Sequence, residues 1–177
     1  MQRIWLLPVW LAGAFLLAGC DKPIPVMPNP PVLELEKPFE PTKAQAKLAT
    51  LRIYLGAETL DAELALTREQ VATGMMFRTN LTDADAMLFV FGSPHRAGFW
   101  MKNCPESLSA AYIDPTGAIA EIVRLEANNT NSVNAVSDNI QYVLEVKEGW
   151  FQRHNIAPGA VIRTDCGTLV ETFFRKN

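Results

Sequence analysis

The chain has 177 residues, enough for one ordinary domain and not two. Hydrophobic residues make up 49%, which supplies a core and excludes global disorder. A formal net charge of -3, with neither a polybasic patch nor a strongly acidic tail, argues against nucleic acid as a partner.

Residues 1–20 read as an export signal. Arg3 supplies the positive start, residues 4–16 form an apolar run broken only by Pro8 and Gly13, and Leu17-Ala18-Gly19-Cys20 follows. A membrane-spanning helix is the alternative. It has only residues 4–19 to use, shorter than the roughly 20 a bilayer needs, and it carries a proline near its middle. Leu17-Ala18-Gly19-Cys20 resembles a bacterial lipobox. The resemblance implies diacylglyceryl transfer to Cys20, cleavage before it and acylation of the new terminus. Several acyl chains on one residue anchor a domain far more firmly than one. The expected division is a signal peptide at 1–19, a lipidated cysteine with a proline-rich tether at 20–48, and a folded domain at 49–177. The expected location is the bacterial cell envelope, lipid-anchored, on the periplasmic side in a Gram-negative cell.

Residues 23–41 hold Pro23, Pro25, Pro28, Pro30, Pro31, Pro38 and Pro41. That density favours extended polyproline backbone, a tether at ~3 Å per residue that sets the domain on the order of 50 Å from the membrane. Leu51, Ile53 and Leu55 alternate with polar neighbours, Gly56-Ala57 turns the chain, and residues 59–66 alternate again, which predicts a hairpin. Thr67-Arg68-Glu69-Gln70 has the form of a capping box, so a short helix is expected, ending at Gly74. Residues 87–91 read as a buried strand, and 98–102 as another. Strands are expected at 108–113 and 118–125, joined by the turn Asp114-Pro115-Thr116-Gly117. A loop at 128–139, a strand at 141–146, a helical turn at 149–154, a strand at 161–164 and a last strand at 169–174 complete the reading. Eight or nine short strands, with at most two short helices and no strand–helix–strand alternation, predict an all-β fold. The expected form is a small antiparallel β-barrel or jelly-roll-like sandwich.

Three blocks carry a resemblance: Thr67-x-Glu69 with Gly74-Met75-Met76-x-Arg78, Met87-Leu88-Phe89-x-Phe91, and Phe99-Trp100-Met101-Lys102-Asn103. Tyr142-Val143-Leu144-Glu145-Val146, Gly149 and Ile156-x-Pro158-Gly159 extend it. Together they resemble a widespread prokaryotic family known as domain of unknown function 192, over about residues 51–164. The resemblance implies a small jelly-roll-like β-barrel and implies no activity. Four positions depart from the family's pattern. Cys104 replaces its Thr, Ser109 and Ala160 each replace an Asp, and Ala86 replaces a Gly. Chemistry that needs those two acids is therefore in doubt in this chain.

The candidate binding residues are Arg78, Trp100, Lys102 and Asn103. In a strand, Trp100 and Lys102 face one side and would offer an aromatic surface plus a charge to an anion or a sugar. The structural alternative pairs Arg78 with Glu69 or Glu145, leaves Lys102 in solvent and gives Asn103 to a turn. For Cys104 and Cys166 three states stay open: a disulfide, two free thiols, or a reactive Cys104. Met75, Met76, Met87 and Met101 suit soft copper(I) ligation but more often fill cores beside aromatics. His95 and His154 share no ligand spacing. No catalytic residue, metal or cofactor is expected. The function expected is a membrane-anchored lipoprotein whose barrel binds a small anionic or sugar ligand. An envelope enzyme of unknown reaction, or an assembly lipoprotein with a face for another envelope protein, are the alternatives.

Overall fold

The computed structural model describes residues 39–175, so the expected signal segment, Cys20 and most of the expected tether lie outside the described residues. Ten strands and three short helices follow in order. They are β1 (Thr50–Leu55), β2 (Glu58–Ala65), α1 (Arg68–Thr73), β3 (Ala86–His95), β4 (Gly98–Phe99), β5 (Leu108–Ile113) and β6 (Ile119–Leu125). β7 (Val133–Asn134), β8 (Ile140–Lys147), α2 (Trp150–Arg153), β9 (Ile162–Thr164), β10 (Gly167–Thr168) and α3 (Leu169–Phe174) complete the chain. Among the described residues no helix is long and apolar enough to cross a membrane.

Eight strands make one sheet in the order β10-β9-β1-β2-β3-β8-β5-β6, and β4 pairs with β7 apart from it. The mostly-β fold expected from sequence is present. The hairpin β1–β2 turns at Gly56-Ala57, with Leu55 opposite Glu58. One pair departs from the antiparallel expectation: β2 and β3 run parallel, Glu63 beside Met87 and Ala65 beside Phe89. A parallel pair needs a crossover, and α1 provides it, the one strand–helix–strand unit that the period-two reading overlooked. The sheet curls into a half-barrel whose ends are tied together. Ala118 bridges Val161, and Ile119 N–H donates to the Ala160 carbonyl at 2.8 Å while Ile162 N–H donates to that of Gly117 at 2.9 Å.

Both faces of the sheet are buried. In β3, Ala86, Leu88 and Val90 enter one core, with Tyr142 and Leu144 of β8 and Trp150 and Phe151 of α2. Met87 and Phe89 enter a second core on the opposite face, with Ala110 and Tyr112 of β5 and Val143 of β8. Double burial explains why these strands read as nearly continuous apolar runs.

α1 has six residues, too few to stand alone. Its ends hold it. Gln70 N–H donates to Thr67 Oγ1 at 3.2 Å and Thr67 N–H to Gln70 Oε1 at 3.0 Å, the expected capping box. At the other end Gly74 adopts φ 48, a left-handed turn that a side chain would strain. Gln45 Nε2 donates to the carbonyls of Gln70 and Gly74 at 3.2 and 2.9 Å.

The C-terminal segment corrects the sequence reading. Residues 169–174 form α3, not a strand. Val170, Phe173 and Phe174 have strand-like composition, but Thr168 and Glu171 form a second capping box, and a cap decides where a helix starts. Thr172 Oγ1 then bonds Thr164 Oγ1 at 2.6 Å, fastening α3 to β9. Thr168→Ala is expected to lower stability by about 1 kcal/mol, read as a reduced urea midpoint with unchanged slope. An unchanged midpoint would show that the cap contributes nothing.

Candidate functional site

The predicted strand 98–102 is only two residues long. Gly98 and Phe99 pair with Asn134 and Val133 of β7, inside the stretch expected to be loop. Then the chain turns. Met101 N–H donates to the Asn129 carbonyl at 2.7 Å, and Cys104 N–H returns to that of Met101 at 3.0 Å. Asn103 sits at φ 60, a conformation asparagine tolerates, and its carbonyl accepts the Phe77 N–H at 2.7 Å. The in–out pattern survives the loss of the strand as far as Lys102, with Met101 buried and Trp100 47% exposed; Cys104, which strict alternation would place beside Trp100, is buried by the turn.

This turn and α1 enclose a groove on the second face of the sheet. Its outer chamber, about 310 Å³, is lined by Val71 and Ala72 of α1 together with Phe91, His95, Phe99 and Trp100. Its inner chamber, about 30 Å³, shares Val71, Ala72, Phe99 and Trp100 and reaches Phe89, Cys104 and Glu145. Phe89 and Phe99 meet edge to face with ring centres 4.8 Å apart, and Phe99 meets Tyr112 at 6.3 Å. The groove is therefore aromatic along its length and acidic at its end.

Glu145 is placed by register. β8 lies between β3 and β5, and Glu145 pairs with Met87 on one side and Ala110 on the other. Met87 in turn pairs with Glu63 of β2. Two carboxylates thus sit in one row across the sheet, two strands or about 10 Å apart. Their environments differ. Arg78 grips Glu63 with both terminal nitrogens, at 2.6 and 2.9 Å, and Leu48 N–H adds a third bond at 2.7 Å. Burial alone would raise the Glu63 carboxyl. The Arg78 bonds, the Leu48 amide and the charges of Arg78 and Lys47 outweigh it and hold the group below its ordinary value. Glu145 is 3% exposed, and among the described residues its carboxyl makes no hydrogen bond or ion pair. Burial pushes it up to about 8, against a weaker pull from the Arg78 charge.

Of the four residues proposed from sequence, Trp100 alone lines the groove. Lys102 stands 5.5 Å from the centre of the Trp100 ring and pairs with Glu40 at 3.5 Å. Arg78 is spent on Glu63, rather than on Glu69 or Glu145. Asn103 shapes the turn. Sequence reasoning treated Glu145 only as a partner for Arg78. The available signal was an acid at mid-strand in Tyr142-Val143-Leu144-Glu145-Val146, on the same face as Val143. Ser109, where the family carries Asp, is buried and accepts the Gly149 N–H at 3.0 Å.

Of the three states left open for the cysteines, the structure does not contain the Cys104–Cys166 disulfide. Cys104 is a free thiol in the second core, over the middle of the sheet. Cys104 keeps its thiol, so the Cys104–Cys166 bond is not made, and Cys166 lies in the turn between β9 and β10. Burial, then the nearby Glu145 charge, pushes the Cys104 thiol up to about 12. In the native protein Cys104 should therefore resist iodoacetamide and label only on unfolding, as followed by peptide mapping. Labelling at the rate of a free peptide would mean the cavity opens. Met75, Met76, Met87 and Met101 all lie in the second core, the gap-filling role weighed from sequence.

The fold and groove define a small mostly-β half-barrel domain with a groove of about 310 Å³ on its helix-covered face. The chain belongs to the family DUF192, described as "Uncharacterized ACR", whose profile matches residues 51–164. Solved structures similar to it include the following two. One is a Sinorhizobium meliloti 1021 protein described as a candidate transcription regulator, 27% identical, with a TM-score of 0.64, covering 68% of this chain and 98% of its own. The other is a protein of unknown function from Novosphingobium aromaticivorans DSM 12444, 27% identical, with a TM-score of 0.62, covering 66% and 86%. No curated protein matches the chain significantly.

Proposed function

We propose that this protein is an envelope lipoprotein, anchored through acylated Cys20, whose half-barrel binds a small organic ligand in the groove beneath α1. The carrying observation is the half-exposed Trp100 at the mouth of an aromatic groove that ends on a carboxyl without a partner. The outer chamber is at the lower end of ligand-pocket volumes, roughly 300–1,000 Å³. Of the two ligand classes expected from sequence, an anion finds Arg78 committed to Glu63 and Lys102 outside the lining of the groove, in an exposed pair with Glu40. A ring stacked on Trp100 keeps its platform. The regulator role attached to the Sinorhizobium relative gains no support from a net charge of -3.

Mass spectrometry of the full chain purified from membranes tests both halves. The anchor requires an acylated Cys20, and Cys20→Ala should move the protein to the soluble fraction. An unacylated N-terminus on membrane-bound protein refutes it. The binding half requires a co-purifying small molecule whose occupancy falls about tenfold in Trp100→Ala, the loss expected from removing one good aromatic contact. Undiminished occupancy would move the site elsewhere.

A further inference from the structure

We propose that the groove selects a small organic cation, an ammonium head carried on an apolar or aromatic arm, with Glu145 as its counter-charge. The inference rests on the groove being a ligand site. Three observations carry it beyond that reading. Glu145 is 3% exposed, lines the inner chamber and makes no hydrogen bond or ion pair among the described residues. A carboxyl held this way lacks the partner that buried acids otherwise require. The walls leading to it are the rings of Phe89, Phe91, Phe99 and Trp100, whose faces attract a cation as well as an apolar arm. And the nearest fixed positive charge, Arg78, is neutralised by its two-pronged pair with Glu63, so it does not fill the role itself.

The chamber sizes agree with such a ligand. The inner chamber of about 30 Å³ takes a head of a water's size, and the outer one of about 310 Å³ takes the arm. The other groups that act electrostatically with Glu145 are few. Arg78 pulls its carboxyl towards ionisation, and on the second face Cys104 and the Tyr112 hydroxyl are both held protonated by burial, then by the Glu145 charge. Among the described residues no lysine or arginine lines either chamber, and His95 at the outer mouth is the one basic side chain there.

Because burial holds Glu145 protonated up to about pH 8, an ammonium ligand must displace a proton to form the ion pair. Its affinity should therefore rise with pH towards 8, by at most about tenfold per unit. A neutral ligand of the same shape gains nothing from that rise.

The test uses phenethylamine and its neutral isostere 2-phenylethanol as probes. Both are titrated into the full chain in detergent by calorimetry, in two buffers of different ionisation enthalpy, from pH 6 to 8. The expected result is tighter binding of the amine than of the alcohol, proton release on amine binding, and affinity rising with pH for the amine alone. Glu145→Gln should weaken the amine at least tenfold and leave the alcohol unchanged. Equal binding of the two probes, with Glu145→Gln affecting neither, would overturn the cation while leaving the groove as a ligand site. Binding of neither probe would overturn both.

Discussion

Arg78→Met should cost the fold about 3 kcal/mol, the lower end for breaking a buried ion pair by removing one partner. The pair is well shielded: the Arg78 and Glu63 side chains are only 14% and 7% exposed. Without Arg78 the Glu63 carboxylate keeps one bond, the Leu48 N–H, and loses the charge that justified its burial. The double variant Arg78→Met with Glu63→Gln should recover most of the loss, because it removes the stranded charge along with its partner. Chemical denaturation of both variants and the parent at neutral pH measures this. A double variant no better than the single one would show that the geometry of the bridge, rather than the buried charge, is what stabilises. The acid limb carries a second signature. The Glu63 carboxyl is held below its unfolded value, so its contribution is present above the ordinary carboxylate range and disappears as pH falls through the folded value. Arg78→Met should therefore lose less stability on acidification than the parent does.

Glu145→Gln should make the protein more stable, and by more as pH rises. The sign is opposite to that of Glu63. In the folded protein Glu145 holds its proton up to about pH 8, whereas in the unfolded chain it releases it in the ordinary carboxylate range. Between those limits the folded state binds the extra proton, so stability falls with pH, at most about 1.4 kcal/mol per unit for one group. Glutamine keeps the shape of the protonated acid and cannot ionise. The variant should match the parent near pH 4 and exceed it at pH 8, with a flattened profile between, as read from melting temperature against pH. A variant that melts lower at every pH would show that the carboxyl has a partner in the folded state. A residue that costs stability and persists in a core is the kind of local conflict that function leaves behind.

The two acids show what the chain discloses at each level. Glu63 shares β2 with Glu58 and Asp61, whereas Glu145 is the one acid of β8, yet neither setting discloses whether the acid has a partner. Register makes the difference. Arg78 follows α1 and reaches back over β2, so it meets Glu63, and the parallel pairing of β2 with β3 puts Met87 between the two acids. A sequence window sees the alternation of Leu60, Ala62 and Leu64 but not which strand lies alongside. The same limit explains residues 98–102. Their alternation was legible and holds in the burial pattern, yet the strand stops at Phe99 because the next amide that bonds, Met101 N–H, finds the Asn129 carbonyl rather than a ladder partner. In α3 the reverse occurred. The cap Thr168-x-x-Glu171 was local and readable, and the apolar residues after it were given more weight than they merited.

The sequence by itself determined the elements whose cause is local. Those are the hairpin at Gly56-Ala57, the Thr67–Gln70 cap, the turn before β6, the doubly buried strands β3, β5 and β8, and membership of the family. Each follows from dihedral preference, capping or a period of two over a few residues. The tertiary structure alone decided which charges were consumed and which was left over. Arg78 looked available as a side chain and was not, because Glu63, distant in the chain, lies beside it in space, while Lys102 stays at the surface, outside the lining of the groove. Glu145 looked like one more strand residue and became the acid at the end of the groove. Whether a buried charge has a partner is a question of distance across the fold, and no window along the chain contains that distance.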